Sequence, residues 1–369
     1  MINDDDKTDP GITPPPIDRQ RKKEIKMPDM GILKPFMEDE SITDIMVNDT
    51  RNIMVEKNGK LMYPGVAFLS IEDLNKLVRN ILDITGRLFG YDHPYLDVML
   101  PDGSRVNMVG TPLTIDGPCI TIRKLPHRRF TLDDLVRFNS LEKKLAYFLS
   151  TAVTGRLNML ISGGTGSGKT TFLNALASLI PADERIVTIE DTPELVIQHL
   201  NNVRLQTKPQ TPSSAAVTTR DLVANALRMR PDRIIVGECR RSEAFDMLQA
   251  MNTGHDGSMT TIHANSPRDA LSRLETLIML AGIDMPLKPV RQQIVSTIDF
   301  IIHVKRYRDG ARRVAAISEA TGMEGEMITL QDIFSFDTVS GQFKWSGLVP
   351  KCTEDLEEAG ISFPKNFFS

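Results

Sequence analysis

Alternating apolar and polar residues characterise the first third of the chain and predict a small α+β unit. Strands are predicted at 42–47, 53–57, 97–100, 105–109 and 120–122. Asn58-Gly59 is a strong hairpin signal after the second of these runs. Apolar residues at helical spacing predict a helix from Ile71 to about Thr85, with Ser70 as N-cap and Gly86 closing the end.

Farther along, apolar runs of strand length alternate with stretches of helical spacing. Strands are predicted at 158–162, 186–189, 233–236 and 258–262, and helices near 172–180, 221–229, 243–252 and 267–282. This alternation is typical of a mostly parallel sheet with helices on both faces, so the fold class is α/β. Two further helices, at about 132–138 and 141–152, precede the alternation, and Asp309-Gly310 and Ser340-Gly341 predict hairpins after it.

These patterns divide the chain into four parts. Residues 1–34 are rich in Pro, Asp, Lys and Arg and predict a flexible arm. Its basic run Arg19 to Lys26 is either a solvated tail or a segment that docks on lipid or on a partner. An N-terminal α+β domain is predicted at 35–125, a linker region at 126–138, and a nucleotide domain with a C-terminal helical and hairpin extension at 139–369.

Composition narrows the function classes. A chain of 369 residues suggests two domains of ordinary size. The net charge of -4 argues against a protein whose main work is to grip nucleic acid. The three cysteines are far apart, which fits a reducing compartment. Because no signal peptide and no membrane-spanning run is apparent, we expect a cytoplasmic protein that meets a membrane only through partners.

The most specific motif is the run G-x-x-x-x-G-K-T between a predicted strand and a predicted helix. In this context the backbone N–H groups of the loop and the positive end of the helix surround phosphates. Lys169 is expected to neutralise the β- and γ-phosphates, and the Thr170 hydroxyl to bind Mg²⁺. The expected nucleotide-binding residues are Gly163, Gly164, Thr165, Gly166, Ser167, Gly168, Lys169, Thr170 and Thr171.

Carboxylates follow two of the predicted strands. Glu190, Asp191 and Glu194 follow one strand, and Glu238 follows another. Strand carboxyl ends face the ligand crevice in sheets of this kind, so these acids are expected near the phosphates. We expect Glu190, Asp191 and Glu238 to join Thr170 in holding Mg²⁺, partly through water, and the acids to polarise the attacking water.

Histidines and arginines complete the polar residues around this region. His263 ends a predicted strand and is either structural or a sensor that hydrogen-bonds the γ-phosphate. His255 is either a second polar contact or part of a Gly-rich loop. A well-placed arginine stabilises the charge that develops in phosphoryl transfer. The candidates are Arg204, Arg220, Arg228, Arg230, Arg233, Arg240 and Arg241, and the sequence alone does not sort them.

Four motifs in order make the chain resemble the type II/IV secretion-system ATPase superfamily. Walker A is 163–170, the Asp box 188–194, Walker B 227–238 and the His box 253–265. Upstream, 44–48, 100–107 and 122–124 resemble the N-terminal domain of the Tad/Flp pilus-assembly (CpaF-type) branch, and 309–313 resembles its C-terminal part. The tetracysteine zinc motif of the type II secretion branch is absent from the sequence.

The resemblance implies a RecA-like P-loop motor domain with a smaller N-terminal α+β (PAS-like) domain, assembled as a homohexamer that uses ATP and Mg²⁺. It implies inner-membrane platform proteins as partners and a peripheral position at that membrane. Glu194 then activates water, with Glu238 as rival or helper. The other implied catalytic residues are Lys169, His263, Arg204 and Arg220, the two arginines touching phosphate directly or across the subunit interface. Arg105 and Arg123 close over the nucleotide.

The resulting prediction is a hexameric ATPase that powers Tad/Flp pilus assembly or secretion through platform proteins. The alternative is a type IV secretion ATPase that moves protein or DNA, and the shared motifs do not separate the two. A RecA-like nucleic-acid translocase is disfavoured by the net charge of -4, so no direct nucleic-acid contact is expected. A nucleotide-binding scaffold without turnover is disfavoured by the full set of acids.

Overall fold

The computed structural model describes residues 26–125, 130–210 and 214–368. The chain forms two compact units, Met1–Leu125 and Pro126–Ser369, which are described separately below. Most of the basic run Arg19 to Lys26 and residues 126–129 of the expected linker lie outside the described residues. The four domain boundaries drawn from the sequence stay predictions.

The first unit contains two α-helices and six strands within its described residues. They are α1 (Lys34–Glu38), β1 (Ile42–Val47), β2 (Ile53–Lys57), β3 (Lys60–Met62), α2 (Ile71–Thr85), β4 (Tyr95–Met99), β5 (Arg105–Val109) and β6 (Cys119–Arg123). The strands form one antiparallel sheet in the order β3-β2-β1-β6-β5-β4. Helix α2 buries Leu74, Leu77, Val78 and Ile81 in the same core as the inward-facing residues of the sheet.

Local signals set the ends of these elements as the sequence predicts. The Ser70 hydroxyl accepts a hydrogen bond from the backbone N–H of Asp73, and α2 ends at Gly86 in the left-handed region (φ 62°). The β2–β3 hairpin turns at Asn58-Gly59, both with positive φ. These short-range features were predictable because each depends on residues only a few positions apart.

The second unit carries the remaining elements. They are α3 (Leu132–Arg137), α4 (Lys143–Thr154), β7 (Met159–Gly163), α5 (Lys169–Ala177), β8 (Ile186–Glu190), β9 (Asn202–Gln206), α6 (Thr219–Ala226), β10 (Arg233–Val236), α7 (Glu243–Asn252), β11 (Met259–His263), α8 (Pro267–Met279), α9 (Leu287–Thr297), β12 (Phe300–Arg306), β13 (Arg312–Glu324), β14 (Met327–Asp337), β15 (Gln342–Trp345) and α10 (Cys352–Glu358).

One mixed sheet organises this unit, with strand order β15-β14-β13-β12-β7-β11-β10-β8-β9. Neighbours from β12 to β9 are parallel, and β12 to β15 form an antiparallel run at the other side. Strands β7, β11 and β10 are therefore adjacent, and their carboxyl ends lie at one edge of the sheet. This edge is where ligands bind in open α/β sheets.

Helices cover both faces of the sheet. Because successive residues of a strand point to opposite faces, Met159 and Ile161 of β7 pack with α4 and α5, whereas Leu160 packs with helices α6 to α9. The five residues of β7 and of β8 are all buried, as expected for central parallel strands covered on both sides.

Three features of this unit were not predicted. Strand β9 pairs in parallel with β8 although its sequence, N-V-R-L-Q, has only two apolar residues. Helix α9 follows Pro286. The hairpins predicted at Asp309-Gly310 and Ser340-Gly341 form, but the pairing of β12 with β7, which carries β13, β14 and β15 into the same sheet, was not predicted.

Aromatic side chains join the C-terminal segment to this sheet. Trp345 of β15 stacks edge-on against Phe148 of α4 and contacts Phe367 and Phe368. Its indole Nε1 donates a hydrogen bond to Glu142. Lys144 lies 4.8 Å from the centre of the Trp345 ring, within cation–π range. The chain after α10 is thereby part of the core of the second unit.

No helix within the described residues combines the length and the apolar character that crossing a membrane requires.

Candidate functional site

The phosphate-loop motif forms a tight loop between β7 and α5. Gly166 and Gly168 adopt positive φ, 68° and 95°, which glycine reaches without a Cβ clash. At Gly163 a Cβ atom would lie 2.2 Å from the carbonyl oxygen of Val304 and 2.6 Å from Ser167 Oγ, so only glycine fits there. Helix α5 begins at Lys169, and its N-cap residue Gly168 provides no side-chain cap, which leaves the N–H groups of the first turn open to an anion.

Lys169 is buried and satisfied within the loop. Its Nζ donates to the carbonyl oxygens of Gly163 and Gly164, each at 3.0 Å, and lies 3.4 Å from Nδ1 of His263. Burial lowers the pKa of Lys169, and the negative charges of Glu238 and Glu194 oppose that effect. Both carboxylates are therefore within electrostatic reach of the loop lysine.

His263 and Glu238 are brought together by the adjacency of β11 and β10. Nε2 of His263 lies 2.9 Å from Oε1 of Glu238, and Arg240 Nη2 lies 2.7 Å from Oε2 of the same carboxylate. Burial and the charge of Lys169 lower the pKa of His263, which favours a neutral ring. A neutral ring protonated on Nε2 satisfies both contacts, since Nε2–H donates to Glu238 and Nδ1 accepts from Lys169.

These contacts form one polar chain, Lys169–His263–Glu238–Arg240, at the carboxyl edge of the sheet. It joins the phosphate loop to the residues that follow β10 and β11. The position of His263 in this chain favours the sensor interpretation of the sequence over the purely structural one, and its role stays a prediction. His255 lies elsewhere, with Nδ1 3.1 Å from the carbonyl oxygen of Ala250.

Glu190 shapes the loop that carries Glu194. Its Oε1 accepts hydrogen bonds from the backbone N–H groups of Glu194 and Leu195, both at 2.8 Å. Burial raises the pKa of Glu190 to about 7, although these two hydrogen bonds act in the opposite direction. Oε1 of Glu190 is thus engaged in holding the backbone, whereas its expected part in holding Mg²⁺ stays a prediction.

Asn174 of α5 holds the same loop from the other side. Its Nδ2 donates to the carbonyl oxygen of Glu194 at 3.3 Å, and its Oδ1 accepts from the N–H of Val196 at 2.9 Å. The helix that begins at Lys169 is therefore hydrogen-bonded to the segment that presents Glu194. Sequence reasoning missed Asn174, and the available signal was a lone amide within an otherwise apolar helical run.

The arginine candidates separate into different environments. Arg233 is completely buried and makes a bidentate pair with Glu184, with Nε and Nη2 at 2.7 and 2.9 Å from the two carboxylate oxygens. Its Nη1 donates to the carbonyl oxygen of Val153 at 2.7 Å. Arg233 is therefore a structural residue of the second unit.

The remaining second-unit candidates lie at the surface. Arg220 of α6 forms an ion pair with Asp246 of α7, Nε to Oδ2 2.9 Å. Arg204 is exposed on β9, beside Thr188 of β8 in the strand register. Thr219, next to Arg220, donates to Oδ1 of Asp191 at 3.1 Å. The roles of Arg204, Arg220 and Asp191 in phosphate and metal contacts stay predictions.

Arg105 and Arg123 belong to the first unit. They are direct register partners on β5 and β6, so two positive charges stand side by side on one face of the sheet. Arg123 Nε donates to Asp44 at 3.0 Å, and Arg105 Nε lies 3.5 Å from a carboxylate oxygen of Asp97. Such a cation pair is suited to an anion, and its closure over nucleotide stays a prediction.

The second unit as described has what a triphosphate requires. Ser167 Oγ is buried and finds no hydrogen-bond partner among the described residues, and such an orphaned polar atom fits a loop that binds a further polar group. Further donors are the backbone N–H groups at the uncapped start of α5 and the ammonium group of Lys169. The positive φ of Gly166 and Gly168 allows the tight turn of the loop. Thr170 lies in the first turn of α5, where its hydroxyl belongs for a Mg²⁺ site of this kind. The fold and site define a P-loop nucleotide-binding protein.

Comparison with known proteins gives the family. The family model described as "Type II/IV secretion system protein" matches residues 26–327, so the chain belongs to this family. It is 33% identical over 310 residues to the type IV secretion system protein VirB11 of Bartonella henselae, covering 74% of this chain and 87% of that protein. It is 33% identical over 298 residues to the conjugal transfer protein TrbB of Rhizobium radiobacter, covering 78% and 86%.

The solved structures support the fold. The Legionella pneumophila ATPase DotB superposes with a TM-score of 0.58 at 22% identity, covering 89% of this chain and 86% of that one. The prediction of a RecA-like motor fold is confirmed at this level. The Tad/Flp pilus-assembly branch is not confirmed, because the relatives named above are a type IV secretion protein and a conjugal transfer protein.

Proposed function

We propose that the chain is a VirB11-like ATPase that hydrolyses ATP with Mg²⁺ to drive a type IV secretion apparatus. The observation that carries the proposal is the polar chain from Lys169 through His263 to Glu238, which links the phosphate loop to the carboxylate after β10. A loop that only binds nucleotide needs no such connection. A motor needs one, because the presence of the γ-phosphate must be reported to the rest of the fold.

The chain's own residues divide the work as follows. Bound ATP–Mg²⁺ supplies an electrophilic γ-phosphorus and a leaving ADP whose charge the metal neutralises. Lys169 and the loop N–H groups orient the phosphates. Glu194, held in place through its backbone by Glu190 and Asn174, accepts the proton of the attacking water. His263 hydrogen-bonds Glu238 in the free state and offers a donor to the γ-phosphate.

Arginine residues complete the proposal. Arg105 and Arg123 of the first unit bind the nucleotide as a cation pair, and Arg204 and Arg220 stabilise the developing charge directly or from a neighbouring subunit. The proposal includes a homohexamer, in which a neighbouring subunit can supply such an arginine. The protein would then act in the cytoplasm, held at the inner membrane by platform proteins.

The proposed apparatus and its cargo are inferred from the names of the relatives. VirB11 of Bartonella henselae is a type IV secretion system protein and TrbB of Rhizobium radiobacter a conjugal transfer protein, each about one third identical to this chain. Their names favour the type IV secretion alternative over pilus assembly. Export of a protein or DNA substrate, in place of assembly of a pilin fibre, is therefore the proposed task.

Steady-state ATPase assays test the enzymatic part. We expect Glu194→Gln to bind ATP with wild-type affinity and to lose turnover by at least ~100-fold, the scale of one lost general base. Lys169→Ala is the control for loss of binding. If Glu194→Gln turned over at the wild-type rate while Glu238→Gln did not, water activation would belong to Glu238. Wild-type turnover no higher than that of Lys169→Ala would refute hydrolysis.

Deletion of the gene in its host tests the biological part. Loss of substrate or plasmid transfer with surface pili intact supports type IV secretion. Loss of pili with transfer intact would contradict it and reinstate the Tad/Flp assignment. Complementation with Glu194→Gln, which should fail in either case, shows that the phenotype depends on hydrolysis and not on the presence of the protein.

A further inference from the structure

The segment Asp309–Arg313 resembles a family motif and has no role in the proposed chemistry. Asp309, Gly310 and Ala311 lie in the turn between β12 and β13, and Arg312 and Arg313 begin β13. Asp309 Oδ1 accepts the backbone N–H of Ala311 at 2.9 Å, and the N–H of Tyr307 donates to the carbonyl oxygen of Ala311 at 2.8 Å. Gly310 takes a positive φ of 83°. These bonds fix the turn and hence the direction of the two arginines that follow it.

Arg313 is fixed on one face of the hairpin. Its guanidinium carbon lies 5.4 Å from the centre of the Tyr307 ring and 5.1 Å from that of Phe336, and Nη1 pairs with Asp309 at 3.1 Å. Since neighbouring residues of a strand point to opposite faces, Arg312 must leave the hairpin on the other side. The packing of Arg313 thereby determines the face of the hairpin from which the side chain of Arg312 extends.

Arg312 reaches the phosphate loop. Its Nε donates a hydrogen bond to the carbonyl oxygen of Gly166 at 2.9 Å. Its Cδ would lie 3.3 Å from a Cβ placed on Gly168. Arg306, the register partner of Arg312 on β12, brings Nη1 to 3.5 Å from the corresponding position on Gly166. Two positive charges therefore lie beside the loop.

We propose that Arg312 is a positioning residue that holds the phosphate loop in its anion-binding shape. The proposal rests on nucleotide binding at this loop, as proposed above. A loop of this kind binds phosphate only when its N–H groups converge on the anion and its carbonyl groups point away. By donating to the carbonyl oxygen of Gly166, Arg312 holds that peptide in the orientation in which the N–H of Ser167 donates to the carbonyl oxygen of Gly164 across the loop at 3.4 Å.

Pre-organisation of this kind has a defined signature. Without the donor, the free loop samples more peptide orientations, so ADP binding must supply the ordering and becomes weaker. The contact is exposed, which keeps the effect small. We expect Arg312→Ala to weaken ADP binding about fivefold, which is about 1 kcal/mol at 1.4 kcal/mol per tenfold change. Faster amide exchange in the loop of the nucleotide-free protein accompanies this loss.

Titration of purified full-length protein with ADP, together with hydrogen–deuterium exchange of residues 163–169, tests the proposal. Arg312→Lys, which keeps a charged donor, should bind ADP within about twofold of wild type. Arg308→Ala is the matched control, because it removes the same charge from the exposed tip of the same hairpin. If Arg312→Ala melts below the assay temperature, Arg312→Met, which keeps most of the side-chain length, replaces it.

The outcomes separate the two proposals. Weaker ADP binding with faster loop exchange in Arg312→Ala, and neither in Arg308→Ala, supports the positioning role. An Arg312→Ala protein with the wild-type Kd overturns it, and so does weaker binding without faster exchange, because the side chain would then act on the nucleotide alone. Lys169→Ala shows whether the loop is the ADP site at all. If Lys169→Ala also binds ADP with the wild-type Kd, the loop is not the ADP site, and the proposed function is refuted before the role of Arg312 is tested.

Discussion

His263 presents Nε2 to Oε1 of Glu238 at a distance of 2.9 Å, and so ties the end of β11 to the residues that follow β10. The opposite ring nitrogen lies 3.4 Å from Nζ of Lys169. A single imidazole thus contacts both the phosphate-loop lysine and the carboxylate after the neighbouring strand. A ligand that moves Nζ of Lys169 away from the carbonyl oxygens of Gly163 and Gly164 therefore also changes the contacts of His263.

Removal of this imidazole should separate hydrolysis from binding. We expect His263→Ala to keep its affinity for ADP within about threefold and to lose ATP turnover by about 100-fold, since one positioned electrostatic contact is lost. Single-turnover kinetics and ADP titration measure the two effects. His255→Ala, which alters a histidine of the loop after α7 that contacts the carbonyl oxygen of Ala250 in that helix, is the matched control. Equal losses of turnover in both variants would contradict a special role for His263.

Asn174 offers a second test of how the site is held together. In Asn174→Ala both hydrogen bonds to the 194–196 segment are lost, so Glu194 is less well placed. We expect kcat to fall about tenfold with little change in KM, because substrate binding does not use this contact. Ser178→Ala, near the end of the same helix, removes a side-chain bond to Ala175 and controls for helix damage. A rise in KM with an unchanged kcat would place Asn174 in binding instead.

The buried pair of Arg233 and Glu184 should govern stability and not chemistry. Within the part of the chain that the structure describes, Arg233→Met leaves the buried Glu184 carboxylate with the more distant Arg156 as its cationic partner, at 3.2 Å. Breaking a buried ion pair costs about 3–5 kcal/mol, so the melting temperature should fall markedly. The double variant Arg233→Met with Glu184→Leu should recover most of the loss in a thermal melt. A double variant as unstable as the single one would show that the pair is not the source of the effect.

A pH-dependent contribution to stability is expected from Asp299. Burial raises its pKa from 3.8 to about 7, and the charges of Asp256, Asp355 and Glu319 act in the same direction. Between the unfolded pKa of 3.8 and the folded pKa of about 7, the folded state holds a proton that the unfolded state has lost, so this contribution is fully present at low pH and is lost as pH rises through that range.

Asp299→Asn tests this contribution, because an amide cannot ionise. At pH 8 the melting temperature of the variant should lie several degrees above that of wild type. This difference in melting temperature should decrease as pH falls toward 5. The hydrogen bond from the N–H of Asn158 is retained by an amide oxygen. The control is Asp284→Asn, at an exposed position after α8, which should have the wild-type melting temperature at every pH from 8 to 5. A gap that stays constant from pH 8 to pH 5 would exclude Asp299 as the titrating group.

The sequence predicted what depends on nearby residues. The bounds of β10 and α7, the Ser70 cap and the loop glycines follow from patterns a few residues long. Placement of Glu238 and His263 at one sheet edge was also predictable, because parallel strands share that edge. Their contact with Lys169 was not, since it depends on β7, β11 and β10 being neighbours, which is a long-range property.

Other features were left open or missed in the sequence for the same reason. Arg233 looks like its neighbouring arginines in sequence, and only its complete burial against Glu184 shows that it is structural. Arg312 belonged to a recognised motif, but nothing local indicates that β13 lies close enough to contact Gly166. Strand β9 was not predicted from the sequence because an edge strand needs few apolar residues.

Trp345 gives the molecule a built-in spectroscopic signal. It is the single tryptophan of the chain, and its surroundings of Phe148, Phe367 and Phe368 belong to the second unit alone. Its fluorescence emission therefore follows the unfolding of that unit, whereas far-ultraviolet circular dichroism follows both. Where the two denaturation curves diverge, the difference measures the stability of the first unit without cutting the chain, and a shared curve means that the units unfold together.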